Sequence, residues 1–223
     1  LASPAFGSHA SISYQSLEIQ GSWAMLGHGG YNADFTDANY LTGNTGDISV
    51  FAVGNGTFTG GNGAQGFAQL GHGGYLTDGV HSGKITVGSA TERIGGAVAV
   101  VGGRGEFFAS GDAYAQIGHG GRTSRGSHAG DISIYASNGT VGSGYEGIGL
   151  QVQAGTRENN FAHVGHGGTS SRSGTGNGAA NVGGISGNIT INTLGDINVI
   201  AGVLSKGSST VAQLNNDGNL TAA

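Results

Sequence analysis

The tetrapeptide Gly-His-Gly-Gly occurs four times in the 223-residue chain, beginning at Gly27, Gly71, Gly118 and Gly165. The spacings are 44, 47 and 47 residues. A period of this length restricts the fold to architectures in which one supersecondary unit stacks on the next. The residues ahead of each copy agree as well. They read Trp23-Ala24-Met25-Leu26, Phe67-Ala68-Gln69-Leu70, Tyr114-Ala115-Gln116-Ile117 and Phe161-Ala162-His163-Val164. A degenerate fifth copy runs from Val211 to Gly218.

A second module recurs once per repeat, as Gly46-Asp47-Ile48-Ser49-Val50, Gly83-Lys84-Ile85-Thr86-Val87, Gly130-Asp131-Ile132-Ser133-Ile134 and Gly187-Asn188-Ile189-Thr190-Ile191. Alternation of β-branched with polar residues is the period-2 signature of a strand. A looser third module reads Leu17-Glu18-Ile19, Val98-Ala99-Val100, Leu150-Gln151-Val152 and Ile197-Asn198-Val199. Ile12-Ser13-Tyr14 fits the second module of a partial first repeat. Glycine interrupts every segment that could read as a helix.

Three strands per ~45–47-residue repeat, in series, predict an all-β chain folded as a parallel β-solenoid. The expected domain is single, residues 1–223, in about five coils near 11–46, 47–83, 84–130, 131–187 and 188–223. One coil per repeat is favoured over two, because no half-repeats are visible. At ~4.8 Å per paired strand, five such coils rise only ~24 Å.

Stacking turns aligned positions into ladders. Ile48, Ile85, Ile132 and Ile189 form one inward ladder, and His28, His72, His119 and His166 another column. Trp23, Phe67, Tyr114 and Phe161 have the opposite parity and belong outside, or in a corner. Lys84 would lie between Asp47 and Asp131 and pair with them. A metal reading of His72, His81, His119 and His128 competes with a hydrogen-bonded imidazole ladder. The ladder is preferred, since a neutral ring both donates and accepts and no carboxylates align behind it.

The segment between Gly-His-Gly-Gly and the second module varies, at 15, 8, 8 and 18 residues. Residues 31–45, with Tyr31, Asp34, Phe35, Asp37 and Tyr40, form the best surface for a sugar or protein. Arg122, Arg125 and Arg172 mark a slightly basic corner.

Composition excludes several classes. Eight Lys and Arg against 13 Asp and Glu argue against nucleic acid, which demands clustered cations. The absence of cysteine removes disulfides and thiolate chemistry. No run of 18 apolar residues suggests a membrane span. A phosphate loop would need a following helix and Lys, and a calcium repeat would need Asp where Gln65 stands. No cofactor and no metal is therefore expected. The carboxylates are scattered, so catalysis on polysaccharide is only a minor alternative.

The Ala115-Gln116-Ile117-Gly118-His119-Gly120-Gly121 element, with its Gly-Asp-Ile-Ser strands, resembles the passenger region of giant secreted bacterial filamentous adhesins. These are filamentous-haemagglutinin-like proteins, including those labelled leukotoxin-type. The resemblance covers about residues 11–218. It implies a right-handed parallel β-helix, export across a Gram-negative envelope, and a place at the cell surface or outside it. It also implies a role in attachment or as a fibre, and no catalytic residues. No secretion domain or translocator barrel accompanies the repeats, so an internal stretch or processed fragment is expected. The partners expected are a host receptor or glycan, and copies of the chain or flanking coils meeting end to end. A self-assembling filament subunit is the alternative.

Overall fold

A computed structural model describes residues 12–15, 21–33, 42–104, 111–142, 145–157, 159–168, 184–202, 212–214 and 220–222. These residues form strands and connecting turns, with no helix among them. Three sheets carry the interior. One stacks Trp23–Leu26, Phe67–Leu70, Ala115–Ile117, Ala162–Val164 and Ala212–Leu214. A second stacks Ile48–Val50, Ile85–Val87, Ile132–Ala136, Ile189–Thr193 and Leu220–Ala222. A third joins Ile12–Gln15, Gly56–Thr59, Val98–Val101, Tyr145–Gln153 and Asp196–Ile200.

Neighbouring strands of these sheets run parallel, and each pairs with the same module of the next repeat. Ile48 lies opposite Ile85, Ile85 opposite Ile132, and Ile132 opposite Ile189. Ala68 lies opposite Ala115, and Ala115 opposite Ala162. Parallel pairing needs a long crossover. Here the rest of each repeat supplies it.

The period-2 pattern then decides the interior. Ile85, Val87, Ile132 and Ile134 are fully buried, against Leu70, Ile117, Val98, Val100, Leu150 and Val152 in one cluster. Each such side chain contributes about 1.5–3 kcal/mol relative to exposure.

Two shorter parallel sheets join these three. Gly43–Thr45, Val80–Ser82, His128–Ala129 and Ile185–Ser186 form one, and Gly29–Tyr31 with Gly73–Tyr75 the other. Among the described residues one pairing is antiparallel, where Gly139–Val141 folds back onto the start of Tyr145–Gln153.

Two placements differ from expectation. Ile12-Ser13-Tyr14 pairs with Gly56-Thr57-Phe58, so it belongs to the third module and not the second. Both modules alternate in the same way, and only register separates them. Leu17-Glu18-Ile19 lies outside the described residues.

Lys84 also behaves differently. The Asp47 carboxylate accepts a hydrogen bond from the Lys84 backbone N–H at 2.8 Å, and Asp131 accepts one from Asn188 N–H at 2.9 Å. Among the described residues the ion pairs are Arg122–Asp112 and Arg125–Asp78. The short aspartate reaches an adjacent amide more cheaply than it orders a long lysine side chain.

The opposite-parity aromatics do stack, but under cover. Phe67 lies 5.9 Å from Trp23 and 5.0 Å from Tyr114, and Tyr114 lies 4.6 Å from Phe161, with planes within 7°. Phe67 and Tyr114 are fully buried. The chain beyond each motif histidine folds back over them. A Cβ on Gly121 would stand 2.7 Å from the Tyr114 hydroxyl, and one on Gly168 would stand 2.8 Å from the Phe161 ring. The last glycine of the motif is thus a close-approach position as well as a turn.

Candidate functional site

The four motif histidines form a continuous column. Successive rings lie 5.2, 5.0 and 4.9 Å apart, with planes within 11°. Stacking follows from parallel pairing at a constant register. The hydrogen bonds follow from the turn. The backbone N–H of His28 donates to His72 Nδ1 at 3.0 Å, that of His72 to His119 Nδ1 at 3.0 Å, and that of His119 to His166 Nδ1 at 2.9 Å.

An amide N–H only donates, so each of these Nδ1 atoms is unprotonated and the ring proton sits on Nε2. From there it is donated to a glycine carbonyl of the second module. The distances are 2.9 Å from His72 to Gly46, 2.9 Å from His119 to Gly83, and 2.7 Å from His166 to Gly130. The column therefore ties the motif turn of one repeat to the turn before the second strand. It does so with neutral imidazoles.

Burial enforces that neutrality. Burial, helped by the neighbouring His166, pushes the His119 pKa down to about 3, against the Gly83 hydrogen bond. Burial brings His166 to about 4, and lowers His72 despite its bond to Gly46.

A second pair, His81 and His128, stacks at 5.2 Å in the short sheet Val80–Ser82 and His128–Ala129. Burial lowers His81 to about 4 and His128 well below the usual range. Ser124 Oγ donates to the Gly121 carbonyl at 3.0 Å and lies 2.9 Å from His128 Nε2.

This arrangement bears on the metal reading. The lone pairs of His72 and His119 that would face a metal already accept amide protons, from His28 and His72, and their Nε2 protons are committed to carbonyls. Among the described residues no three His, Asp or Glu side chains are placed to share an ion.

The recognition residues are divided. Tyr31 stacks on Tyr75 at 5.2 Å, and its exposure of 40% marks it as the open end of that column. Arg122 occupies the next place, its guanidinium 5.3 Å from the centre of the Tyr75 ring. It donates to the Tyr75 hydroxyl at 2.8 Å and pairs with Asp112 at 2.9 Å. Arg125 forms a two-pronged pair with Asp78 in the neighbouring repeat. Both arginines thus hold the scaffold together. Asp34, Phe35, Asp37, Tyr40 and Arg172 lie outside the described residues.

Three contributors escaped the sequence reading: Asp112, Asp78 and the motif glutamines. Gln116 Nε2 donates to Gly165 O at 2.9 Å and Gly167 O at 2.7 Å, and Gln69 does the same to Gly118 and Gly120 at 3.0 and 2.8 Å. The recurrence of Gln two residues before the motif was the available signal. No family model, no curated protein and no solved structure matches the chain.

Proposed function

We propose that the chain is a non-catalytic fibrous scaffold. It is a right-handed parallel β-solenoid with one coil per repeat, part of an extracellular or cell-surface filamentous adhesin. The observation that carries this reading is the register: Ile48, Ile85, Ile132 and Ile189 pair successively, each one repeat beyond the last. Such pairing extends by simple addition of repeats and leaves the corners free to vary in length. The resemblance of the Ala-Gln-Ile-Gly-His-Gly-Gly element to filamentous adhesins adds attachment as the task.

The described carboxylates support a structural reading over a catalytic one. Asp78 and Asp112 pair with arginines, while Asp47 and Asp131 accept backbone amides. Beads coated with the chain should adhere to target cells, and should lose adhesion when residues 31–45 and 169–186 are replaced by Gly-Ser segments of equal length. Adhesion that survives both replacements would count against the reading.

A second reading, end-to-end self-assembly, has one observation of its own. Among the described residues the outermost rings of two columns, Trp23 at 46% and Tyr31 at 40% exposure, present a face on which a further ring would stack. Negative-stain electron microscopy over a concentration series should then show unbranched fibres. Discrete particles at every concentration would exclude it.

A further inference from the structure

The outer face of the third sheet carries a groove of about 570 Å³. That volume lies within the range of ordinary ligand pockets, roughly 300–1,000 Å³. Its floor is set by strand parity. Val98, Val100, Leu150 and Val152 point into the core, so Ala99, Val101, Gln151 and Gln153 point out. Thr57 and Thr59 continue these two rows in register, opposite Ala99 and Val101. Thr140 and Val141 of the Gly139–Val141 arm, with Tyr145, Arg104 and Thr156, complete the lining.

The lining is chemically specific. Among the described residues it offers hydroxyls and amides, one phenol ring and one guanidinium, and no carboxylate. Hydroxyls and amides donate and accept at once, matching a ligand whose polar groups do the same. A polyanion would need several cations, and a glycosidase would need paired carboxylates. The Tyr145 ring is 45% exposed, apolar on its face and polar at its tip, which suits the alternating C–H and O–H faces of a sugar.

A second observation points to an occupant. Gln151 is only 2% exposed, and its Nε2 donates to Gln153 Oε1 at 2.6 Å. Its own Oε1 has no hydrogen-bond partner. A buried amide oxygen without a donor is costly. That oxygen is itself closed to water, so a ligand hydroxyl reaches it once the Gln151 or Gln153 side chain rotates toward the groove.

We propose that this groove binds a short neutral oligosaccharide, seated over Thr57, Gln151 and Gln153 with one ring against Tyr145. The site lies on a sheet face and not on the corner segments. It can therefore fail while attachment through residues 31–45 and 169–186 stands, and the reverse.

The test is calorimetric titration of the full chain with neutral hexose and N-acetylhexosamine oligosaccharides, with oligogalacturonate as the acidic comparison. Saturable binding of a neutral oligosaccharide is expected, weakened about tenfold or more by Tyr145→Ala and by Gln153→Ala, about the worth of one well-made contact each. Both side chains reach the surface, and unchanged thermal melting would show that each variant folds. No neutral binding at millimolar ligand, binding confined to the acidic ligand, or binding indifferent to both substitutions would each overturn the proposal.

Discussion

Acid should destabilise this protein through its imidazoles as the pH falls below about 6.5. His119 is held at about 3, and His81 and His166 at about 4, against 6.5 for an unperturbed histidine. A lowered folded pKa means that the unfolded chain takes up protons first. Stability is therefore complete above pH ~6.5 and declines as pH falls toward the folded values. At pH 4.5 each of the three costs about 3 kcal/mol, and together about 8 kcal/mol, at ~1.4 kcal/mol per pKa unit. That is comparable to the whole stability of a typical domain, about 5–15 kcal/mol. The groups facing His119 are His166, His72 and His81, which only deepen the effect. Asp131 opposes it, at His166 alone. Geometry agrees, because a second ring proton on His119 or His166 would point at the amide N–H that now donates to Nδ1. The window from pH 6.5 down to the lowered folded values is where these histidines take up protons on unfolding. Guanidinium unfolding followed by far-UV circular dichroism at pH 7.5, 6.0, 5.0 and 4.5 measures it. The expected slope is at least about 4 kcal/mol per pH unit below pH 6, from the three protons of His119, His81 and His166, with His128 and His72 adding to them. A total change under about 2 kcal/mol from pH 7.5 to 4.5 would refute the reasoning.

Other substitutions separate scaffold contacts from surface ones, each read by the same denaturation. Gly118→Ala should cost more than about 4 kcal/mol, since a Cβ there overlaps the Gly165 carbonyl, whereas Gly147→Ala, at φ +72° with open space around it, should cost only about 1–2 kcal/mol. Phe67→Ala removes a fully buried ring between Trp23 and Tyr114 and should cost about 3–5 kcal/mol. Arg122→Ala strands the buried Asp112 and should cost about 3 kcal/mol, and Arg125→Ala, which strands the equally buried Asp78 but removes a side chain 51% exposed, should cost less, about 1–2 kcal/mol.

The inward ladders were legible because they need only two things, a repeat and a period of two. Aligning Ile48, Ile85, Ile132 and Ile189 by eye already gives their pairing. The cover over Phe67 and Tyr114 was not legible. Parity sends these rings outward, and only the return of the Gly-Gly segment makes that face an interior. The short sheet through His81 and His128 was hidden for a related reason: its strands are two or three residues long and rich in Gly, Asn, Ser and Ala, which carry little strand preference. Ile12-Ser13-Tyr14 went to the wrong module because alternation names a strand without naming its sheet. At the histidines, spacing gave the column. The choice between ladder and metal rested on which atoms the rings meet, and that depends on the turn that brings Gly46, Gly83 and Gly130 within reach.

The central claim is that equivalent residues of successive repeats stack in register. The chain has no cysteine, so it accepts a labelled pair without background. Ser49 and Ser133 each lie opposite Thr86, on its two sides, in strands that present them away from the core. Nitroxide labels on Ser49→Cys and Ser133→Cys would stand two strand spacings apart, ~10 Å at the backbone. The account predicts strong dipolar broadening in the doubly labelled chain, absent from either single variant and from a mixture of the two. A double variant whose spectrum equals the sum of the singles would contradict it.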